Sequence, residues 1–272
     1  MKKYLVKLIQ KSFSISAKLN TSLFLLIANV VYFIFNRSVK IRFDKTNKAF
    51  YAYDKSLQTK HYFLIPSRAT GFIRGLEKRF IGMAKNYLID DFKFSDGDVV
   101  LDVGANIGDI KGFLNLQNKD IKYYGFEPSG KEYDVLKLNC KDSTIINKGC
   151  WHEDGIQTFY ISSEGADSSF EEPASRVESK VEMEVMRLDG FLDEEIKLLK
   201  IDGEGCELEI LQGCLGILPK IQYISVDAGY ERGILELCTF AEVSNYLYKN
   251  GFYLEGFRSK SQRVLGLFKN AQ

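Results

Sequence analysis

Several residue types that build common sites are scarce in this chain of 272 residues. It has only two histidines, His61 and His152, and its five cysteines form no C-x-x-C pair. These numbers argue against a structural zinc site, which needs four suitably spaced cysteine or histidine ligands. Scattered cysteines without a spacing pattern are typical of a reducing compartment, where each acts as a small core residue. An internal repeat is also lacking, which excludes solenoid and fibrous architectures.

Acidic residues are absent from the first 43 positions, which carry eight basic residues. The rest of the chain holds 29 basic and 36 acidic residues, so the two parts have opposite net charge. This difference indicates that the two parts have different surroundings. The acidic part also lacks a basic patch with interleaved aromatic residues, which argues against nucleic acid as a partner.

Three segments are expected along the chain. Residues 1–43 form a basic and apolar helical segment, and residues 44–94 form a lead-in segment rich in tyrosine and phenylalanine, with a helix over Arg74–Asn86. The turn-like residues 95–98 mark the start of the main domain, residues 95–272. The length allows one α/β domain with an appendage rather than two full domains.

Strand and helix patterns alternate in the main domain. This order predicts an α/β fold with a mostly parallel, Rossmann-like sheet and right-handed crossovers. The last two strands are close enough to form a hairpin, which would give the sheet an antiparallel edge. Strands are expected at 99–103, 121–126, 144–148, 157–162, 181–187, 197–201, 221–226, 252–257 and 264–268, and helices at 107–117, 129–139, 206–217 and 240–249.

A glycine loop follows the first strand of this domain. Val99–Val103 is apolar enough to be buried on both faces, as strands of parallel sheets are. Gly104 and Gly108 then let the backbone turn sharply and approach a ligand closely. The pattern D-x-G-x-N-x-G lacks the G-x-G-x-x-G order, which counts against a nicotinamide-dependent oxidoreductase.

A second strand ends in an acid at the distance that nucleotide sites require. Glu127 lies 25 residues beyond Asp102, where its carboxylate can accept hydrogen bonds from ribose hydroxyls. The alternative is a generic βαβ unit in which the glycines serve packing only. The two features together favour a nucleotide-type ligand.

Four stretches of the chain resemble the FkbM family of S-adenosylmethionine-dependent methyltransferases, over roughly residues 95–257. The resemblance implies a class I methyltransferase fold, S-adenosyl-L-methionine as cofactor, and methyl transfer to a hydroxyl of a sugar, glycan, glycolipid or natural product. The last stretch is the most specific to the family. The stretches are Leu101-Asp102-Val103-Gly104-Ala105-Asn106-Ile107-Gly108, Gly125-Phe126-Glu127-Pro128, Arg187-Leu188-Asp189 and Lys200-Ile201-Asp202-Gly203-Glu204-Gly205-Cys206-Glu207-Leu208.

The resemblance suggests which residues hold the cofactor. Glu127 would bind the ribose, and the segment that starts at Asn147 would flank the adenine. Asp102 would orient the loop or approach the amino-acid moiety, although an aspartate here can also simply stabilise a turn. The loop residues that would frame the cofactor are Gly104, Asn106 and Gly108.

The strand that ends at Asp202 carries the candidates for catalysis. A hydroxyl is a poor nucleophile at neutral pH, so we expect a general base, with Asp202 as the first candidate and Glu204 as the second. Lys200 lies on the same face of the strand, where it would steer the acceptor or pair with a carboxylate. No metal is assigned, although Asp202 and Asp227 together could hold Mg²⁺.

Two other functions remain possible besides methyl transfer, and the N-terminal segment could be placed in three ways. The chain could be a nicotinamide-dependent oxidoreductase or an inactive methyltransferase-like protein that only binds a ligand or partner. The 18 uncharged residues between Lys18 and Arg37 could lie on a membrane surface, pack on the domain or a partner, or span the membrane. A span would export a domain that needs a cytosolic cofactor, because positive charge is retained inside.

The loop 165–169 is expected to border the acceptor pocket. The acceptor is a small molecule or glycan, and the sequence is silent on oligomeric state.

Overall fold

The computed structural model describes residues 3–162, 168–174 and 177–271. Its N-terminal segment contains two helices, α1 (Lys3–Leu19) and α2 (Thr21–Phe35). Asn20 separates them, and its side-chain oxygen accepts hydrogen bonds from the backbone N–H groups of Ser22 and Leu23. This cap satisfies donors that the first turn of a helix cannot pair internally.

Both helices pack on the body of the protein. Phe13 of α1 meets Phe24 of α2 edge to face, with ring centroids 5.5 Å apart, and both rings are fully buried. Tyr32 is buried as well, and its hydroxyl donates to the carbonyl of Ala69. Within the described residues, no helix has both the length and the apolar character needed to cross a membrane.

A three-stranded antiparallel sheet follows α2 and was not expected from the sequence. Its strands are β1 (Val39–Asp44), β2 (Ala49–Asp54) and β3 (Thr59–Phe63). β2 is buried at four of its six positions without strict alternation, so the period-2 pattern that identifies a strand is weak. β1 also crosses the boundary expected at residue 43, so this sheet links the first two segments of the chain.

A 3-10 helix over residues 66–72 leads from this sheet to α3 (Leu76–Asn86). The carboxylate of Asp54 accepts a hydrogen bond from the Leu76 N–H at 3.0 Å and so satisfies a free donor at the start of α3. The helix begins two residues later than expected.

Strands and helices alternate from residue 99, as expected. The elements are β4 (Val99–Val103), α4 (Asp109–Asn115), β5 (Lys122–Phe126), α5 (Gly130–Asn139), β6 (Thr144–Ile146), β7 (Gly149–Cys150), β8 (Gly155–Ser162), β9 (Val177–Met186), β10 (Ile196–Asp202), α6 (Glu207–Gln212), β11 (Ile221–Asp227), β12 (Tyr230–Arg232), β13 (Leu237–Cys238), α7 (Phe240–Lys249), β14 (Phe252–Lys260) and β15 (Arg263–Asn270).

The central sheet has seven strands in the order β14-β15-β11-β10-β4-β5-β6. Its pairs from β11 to β6 are parallel, whereas β15 runs antiparallel to both of its neighbours. The prediction of a mostly parallel sheet with an antiparallel edge is therefore confirmed. A smaller sheet in the order β7-β9-β8 stands beside the carboxyl ends of the parallel strands.

Two clusters of buried apolar residues cover the two faces of the central sheet. Successive residues of β4 alternate between them, because Val100 belongs to one cluster and Leu101 to the other. The cluster with Val100 extends to α1, α2 and the three-stranded sheet. The N-terminal segments and one face of the central sheet therefore share a core.

Candidate active site

A pocket of about 340 Å³ opens where β4, β5 and β10 end. This size is in the range of small-molecule sites, and ligands of open α/β sheets bind at this edge. Six of the site residues expected from the sequence line the pocket, namely Gly104, Asn106, Glu127, Lys200, Asp202 and Glu204.

The loop after β4 lies directly against the end of β10. Gly104 has a φ of +70°, and a Cβ atom there would lie 2.1 Å from the carbonyl oxygen of Asp202. Any other residue would therefore have to push the two strand ends apart. Glycine is required here because two segments of backbone meet.

Lys200 contacts the backbone at the start of this loop. Its ammonium donates to the carbonyls of Val103 at 3.1 Å and Gly104 at 2.8 Å, and it lies 3.0 Å from Oδ1 of Asp102. Lys200 therefore donates two hydrogen bonds to the backbone of the loop and forms a buried ion pair with Asp102. The sequence left open whether Lys200 steers the acceptor or pairs with a carboxylate, and the geometry favours the pairing.

Asp102 supports the loop from beneath the pocket. It is fully buried, its Oδ2 accepts a hydrogen bond from the hydroxyl of Tyr123 at 2.6 Å, and it is not among the described residues that line the cavity. Both carboxylate oxygens therefore have partners inside the protein. This arrangement supports the interpretation that Asp102 orients the loop, rather than direct contact with the amino-acid moiety.

Glu127 is positioned by two backbone N–H groups. Asn106, which has a φ of +50°, donates to Oε2 at 2.8 Å, and Ser129 donates to Oε1 at 2.9 Å. Each oxygen keeps a further lone pair for a ligand. Burial raises the pKa of Glu127 to about 7, so the carboxylate is held in a site that a hydrogen-bonding ligand would stabilise.

The other two expected cofactor residues support the site from outside the cavity. The amide of Asn147 donates to the carbonyls of Glu127 and Pro128, which fixes the chain after β5. Gly108 starts α4, where a Cβ atom would lie 2.6 Å from the sulfur of Cys140. Neither is among the described pocket-lining residues, whereas Lys148, Gly149 and Cys150 of the adjoining segment are.

Asp202 lies beside Asp227, as the sequence suggested, and beside other charged and polar side chains that the sequence did not point to. The hydroxyl of Tyr87 donates to its Oδ2, and Nη2 of Arg263 lies 3.5 Å from the same oxygen. One oxygen of Asp202, one of Asp227 and one of Glu231 lie within 4.8 Å of one another. Burial and the neighbouring carboxylates raise the pKa values of Asp227 and Glu231.

Arg263 supplies positive charge to this group. Its Nε donates to Oδ2 of Asp227, while Nη2 approaches Asp202. Asp227 is fully buried and is not one of the described lining residues, in contrast to Glu231 and Arg263. Two carboxylates that could have shared Mg²⁺ are therefore already in contact with a guanidinium.

Glu204 enters the pocket from a strained turn. Its φ is +50°, its side chain lines the cavity, and the hydroxyl of Ser169 donates to its carbonyl at 2.8 Å. Glu207 is fully buried and accepts hydrogen bonds from the Gly205 N–H and the Thr239 hydroxyl. Glu204 therefore lines the pocket, whereas Glu207 stabilises the start of α6.

Residues of the smaller sheet and its loop form another wall of the pocket. Phe159, Ser168, Ser169 and Phe170 line it. The loop 165–169 was expected to border the acceptor pocket, and its last two residues do so. Residues 165–167 lie outside the described part of the chain.

Several pocket residues were missed because they come from the lead-in segment. Arg68 lines the pocket and donates to Oδ1 of Asn106 at 3.1 Å. Arg79 donates to both oxygens of Asp109, and although burial opposes ionisation, its charge holds the pKa of Asp109 well below the usual range. No local pattern marks these arginines as site residues. Glu231 could have been predicted as one, because it lies only four residues after Asp227 at the expected end of a strand.

Comparison with known families identifies this arrangement. The sequence model described as the methyltransferase FkbM domain matches residues 102–254, more than half of the chain. The chain belongs to the FkbM methyltransferase family. The matched region contains the glycine loop, Glu127 and the β10 motif, and the resemblance noted in the sequence is confirmed.

Comparisons with whole proteins add less. No curated protein matches the sequence significantly. An FkbM methyltransferase from Methylobacillus flagellatus KT is similar in structure, with a TM-score of 0.49 and 15% identity over 90% of this chain and 59% of that one. The chain therefore spans less than two thirds of that relative's length.

Two further structures are similar. The ribosomal protein L11 methylase of Lactobacillus delbrueckii subsp. bulgaricus has a TM-score of 0.43 and 10% identity, over 72% of this chain and 79% of that one. M. capricolum TrmK, solved with S-adenosyl-homocysteine, has a TM-score of 0.42 and 10% identity, over 70% and 67%. The family assignment rests on the sequence model, because all three TM-scores are below 0.5.

The pocket also fits the cofactor that the family uses. Gly104 is packed so that a Cβ atom cannot be added, and Glu127 offers two oxygens with spare lone pairs beside it. Arg68, in the 3-10 helix over residues 66–72, contacts Asn106 of the glycine loop and provides a positive charge suited to a carboxylate. A ribose and an amino-acid moiety therefore both find partners of the right chemistry in this pocket.

Proposed function

We propose that this FkbM family protein is an O-methyltransferase that uses S-adenosyl-L-methionine and transfers its methyl group to a hydroxyl of a sugar, glycan, glycolipid or natural product. The observation that carries the proposal is that Glu127 and Asp202 line one pocket, at the carboxyl ends of β5 and β10. The first has the chemistry for a ribose, and the second has that of a general base.

The cofactor would be bound by the residues around the glycine loop. Glu127, held by the N–H groups of Asn106 and Ser129, would accept hydrogen bonds from the two ribose hydroxyls. Arg68 would pair with the carboxylate of the amino-acid moiety. The segment after Asn147 would flank the adenine. When bound, S-adenosylmethionine supplies a methyl group activated on a sulfonium.

Asp202 would take the proton of the acceptor hydroxyl as the acceptor oxygen bonds to the methyl carbon and the carbon–sulfur bond breaks. Tyr87 and Arg263 both contact its Oδ2, so they orient the carboxylate. The side chain is 17% exposed and faces the pocket, where an acceptor can reach it. Alignment of donor and acceptor supplies much of the rate enhancement, on the order of 7–11 kcal/mol in favourable cases.

The charge of the chain and the polarity of the pocket support a polar acceptor other than nucleic acid. Residues 44–272 hold 29 basic and 36 acidic residues and no basic patch with interleaved aromatic residues, which disfavours a polyanion. Hydroxyl-rich compounds, by contrast, can bind to the carboxylates that line the pocket and to the serines of the loop at 168–169. The proposed location is the cytoplasm, where the cofactor is made.

Calorimetry with the full chain tests the cofactor. We expect S-adenosylhomocysteine to bind and NAD⁺, NADP⁺ and their reduced forms to give no heat. Binding of a nicotinamide cofactor instead would support the oxidoreductase alternative, and the absence of any binding by folded protein would overturn the proposal.

The chemistry is tested with methyl-labelled S-adenosylmethionine and a cell extract as the source of acceptor. A hydroxyl acceptor yields a methyl ether, so the label should survive mild alkali and be released as methyl iodide by hydriodic acid. Loss of the label in alkali would identify a carboxyl ester instead, and a label that resists both treatments would identify an N-methyl or C-methyl group. An inactive protein would transfer no label to any compound.

A further inference from the structure

The outer face of α2 is apolar and exposed. Leu26 is 64% exposed, Phe33 is 61% exposed and Ile34 is 68% exposed, and Val30 lies between them at 51%. Their spacing places them on one side of the helix, opposite the side that is buried on the body. Side chains of this size are normally covered when they cluster.

The outer face of α1 continues this surface. Leu8, Ile15 and Leu19 are exposed, while Ile9 and Phe13 on the other side are buried in the same core as α2. Because both helices bury one side in the same core, the apolar side chains on their other sides are exposed on the surface of the protein. Eleven of the 22 large apolar side chains that are exposed in the described part of the chain belong to these two helices.

Positive charge surrounds this apolar surface. Exposed lysines occur on α1, at Lys7, Lys11 and Lys18, and no acidic residue precedes Asp44. None of these lysines forms an ion pair with a carboxylate of residues 3–162, 168–174 or 177–271. The charge is therefore free to attract an anionic partner.

A basic groove of about 390 Å³ lies at the edge of the same surface, between α2 and β1. The side chain of Asn29 builds it by bonding both the N–H and the C=O of Ile41, at 3.0 and 2.9 Å. Asn29 is the one polar residue in the apolar part of α2, and its amide attaches β1 to this helix. The guanidinium of Arg37 lies 4.5 Å above the ring of Phe33, and the groove is also lined by Lys40 and Arg42.

We propose that α1 and α2 lie flat on a lipid bilayer that contains anionic lipid, with their apolar side chains among the acyl chains and the basic residues among the headgroups. A helix with a broad apolar face and a basic border is the arrangement that binds membrane surfaces. A second copy of the chain fits less well, because a symmetric contact would bring the same positive charges together.

The bound surface is connected to the active site. Tyr32 of α2 donates to the carbonyl of Ala69, in the 3-10 helix whose Arg68 reaches Asn106 of the glycine loop. Docking would therefore hold one rim of the pocket at a defined position relative to the bilayer. Membrane binding does not depend on the proposed methyl transfer, and its test needs no acceptor.

Flotation of the full chain with vesicles tests the proposal. The protein should float with vesicles of phosphatidylcholine containing phosphatidylglycerol, and bind at least about tenfold more weakly to pure phosphatidylcholine. Leu26→Gln with Phe33→Gln should weaken binding by about tenfold or more, since two inserted side chains are lost. Leu235→Gln with Tyr248→Gln, which changes exposed apolar residues elsewhere, should bind as the wild type does.

A charge series separates attraction from insertion. Replacement of Lys7, Lys11 and Lys18 by glutamine should weaken binding to anionic vesicles by roughly a hundredfold. The matched control replaces the exposed lysines Lys131, Lys141 and Lys249 and should have no effect. All variants should keep the thermal unfolding midpoint of the wild type, because the changed side chains are exposed.

Four results would overturn the proposal. The first is that folded wild-type protein does not float with anionic vesicles, and the second is that it floats equally with both lipids. The third is that the apolar variant binds unchanged. The fourth is that the apolar variant turns a dimer into a monomer in light scattering, which would show that a second copy covers this face.

Discussion

Lys200 and Asp102 form a buried ion pair directly beneath the glycine loop, with 3.0 Å between Nζ and Oδ1. The two residues lie opposite each other on the parallel strands β10 and β4. Lys200 also donates hydrogen bonds to the carbonyls of Val103 and Gly104. The pair therefore connects the strand that carries the proposed base to the loop that would hold the cofactor.

Removal of this lysine should destabilise the protein strongly. Lys200→Met leaves the charge of Asp102 buried without its partner, and we expect the free energy of unfolding in urea to fall by about 3–5 kcal/mol. Lys122→Met, which breaks an exposed pair with Glu194, should cost no more than about 1 kcal/mol. Lys200→Met combined with Asp102→Asn should recover part of the loss. Equal stability of Lys200→Met and wild type would disprove the role of the pair.

Glu127 should control cofactor affinity. Glu127→Gln replaces one acceptor oxygen by an amide donor, and hydrogen bonds to a charged group contribute about 1.5–3 kcal/mol each. We expect the Kd of S-adenosylhomocysteine in calorimetry to rise about 10- to 100-fold. Glu242→Gln, a change at an exposed position of α7, is the control and should leave the Kd unchanged. An unaltered Kd for Glu127→Gln would place the ribose elsewhere.

The same carboxylate should make cofactor binding depend on pH. Its pKa of about 7 lies above that of an ordinary glutamate because of burial, and its ionised form is the one that accepts from the ribose. Affinity should therefore be full above pH 7 and fall toward tenfold per pH unit below it. Calorimetry between pH 5 and pH 8.5 measures the slope, and Glu127→Gln should abolish it. A wild-type Kd that is constant over this range contradicts the assignment.

Asp202 should act in the transfer step rather than in binding. Asp202→Asn should lower the rate of label transfer from S-adenosylmethionine by about 10²- to 10⁴-fold, the usual contribution of a general base. The Kd of S-adenosylhomocysteine should stay close to that of the wild type, and the exposed change Asp120→Asn should affect neither quantity. Full transfer by Asp202→Asn would assign the proton to another group, with Glu204 next in line.

Chelation of metal should leave the reaction unaffected. Arg263 already contacts Asp202 and Asp227, so the carboxylates have a positive partner without a divalent cation. We expect the rate of label transfer to be the same with and without excess EDTA. A loss of activity that Mg²⁺ restores would show that Asp202, Asp227 and Glu231 hold a metal during catalysis.

Local sequence was sufficient for the elements that carry the cofactor loop. The apolar run at β4, the glycines after it and Glu127 after β5 are all recognisable from the residues themselves, because a strand buried on both faces has a distinct composition. The hairpin of β14 and β15 was predictable for a different reason, because its two strands are adjacent in the chain.

Elements that depend on distant contacts were not predictable. The helix expected over residues 206–217 ends at Gln212, and a Cβ atom on the next residue, Gly213, would lie 1.9 Å from the carbonyl oxygen of Trp151. Close approach of a remote loop thus limits this helix. In the three-stranded sheet of the lead-in segment, β1 alternates between apolar and polar residues and could have been recognised, whereas burial at four of the six positions of β2 hides the alternation of that strand.

The amino-acid sequence by itself determined the fold class, the position of the glycine loop and the acids that end β4, β5, β10 and β11, because these depend on neighbours in the chain. Only the tertiary structure decided what those residues do. It paired Lys200 with Asp102, brought Tyr87 and Arg263 to Asp202, and put Arg68 beside Asn106. These partners are up to 115 residues apart, and folding brings them together because buried charges and polar groups must find partners once water is excluded.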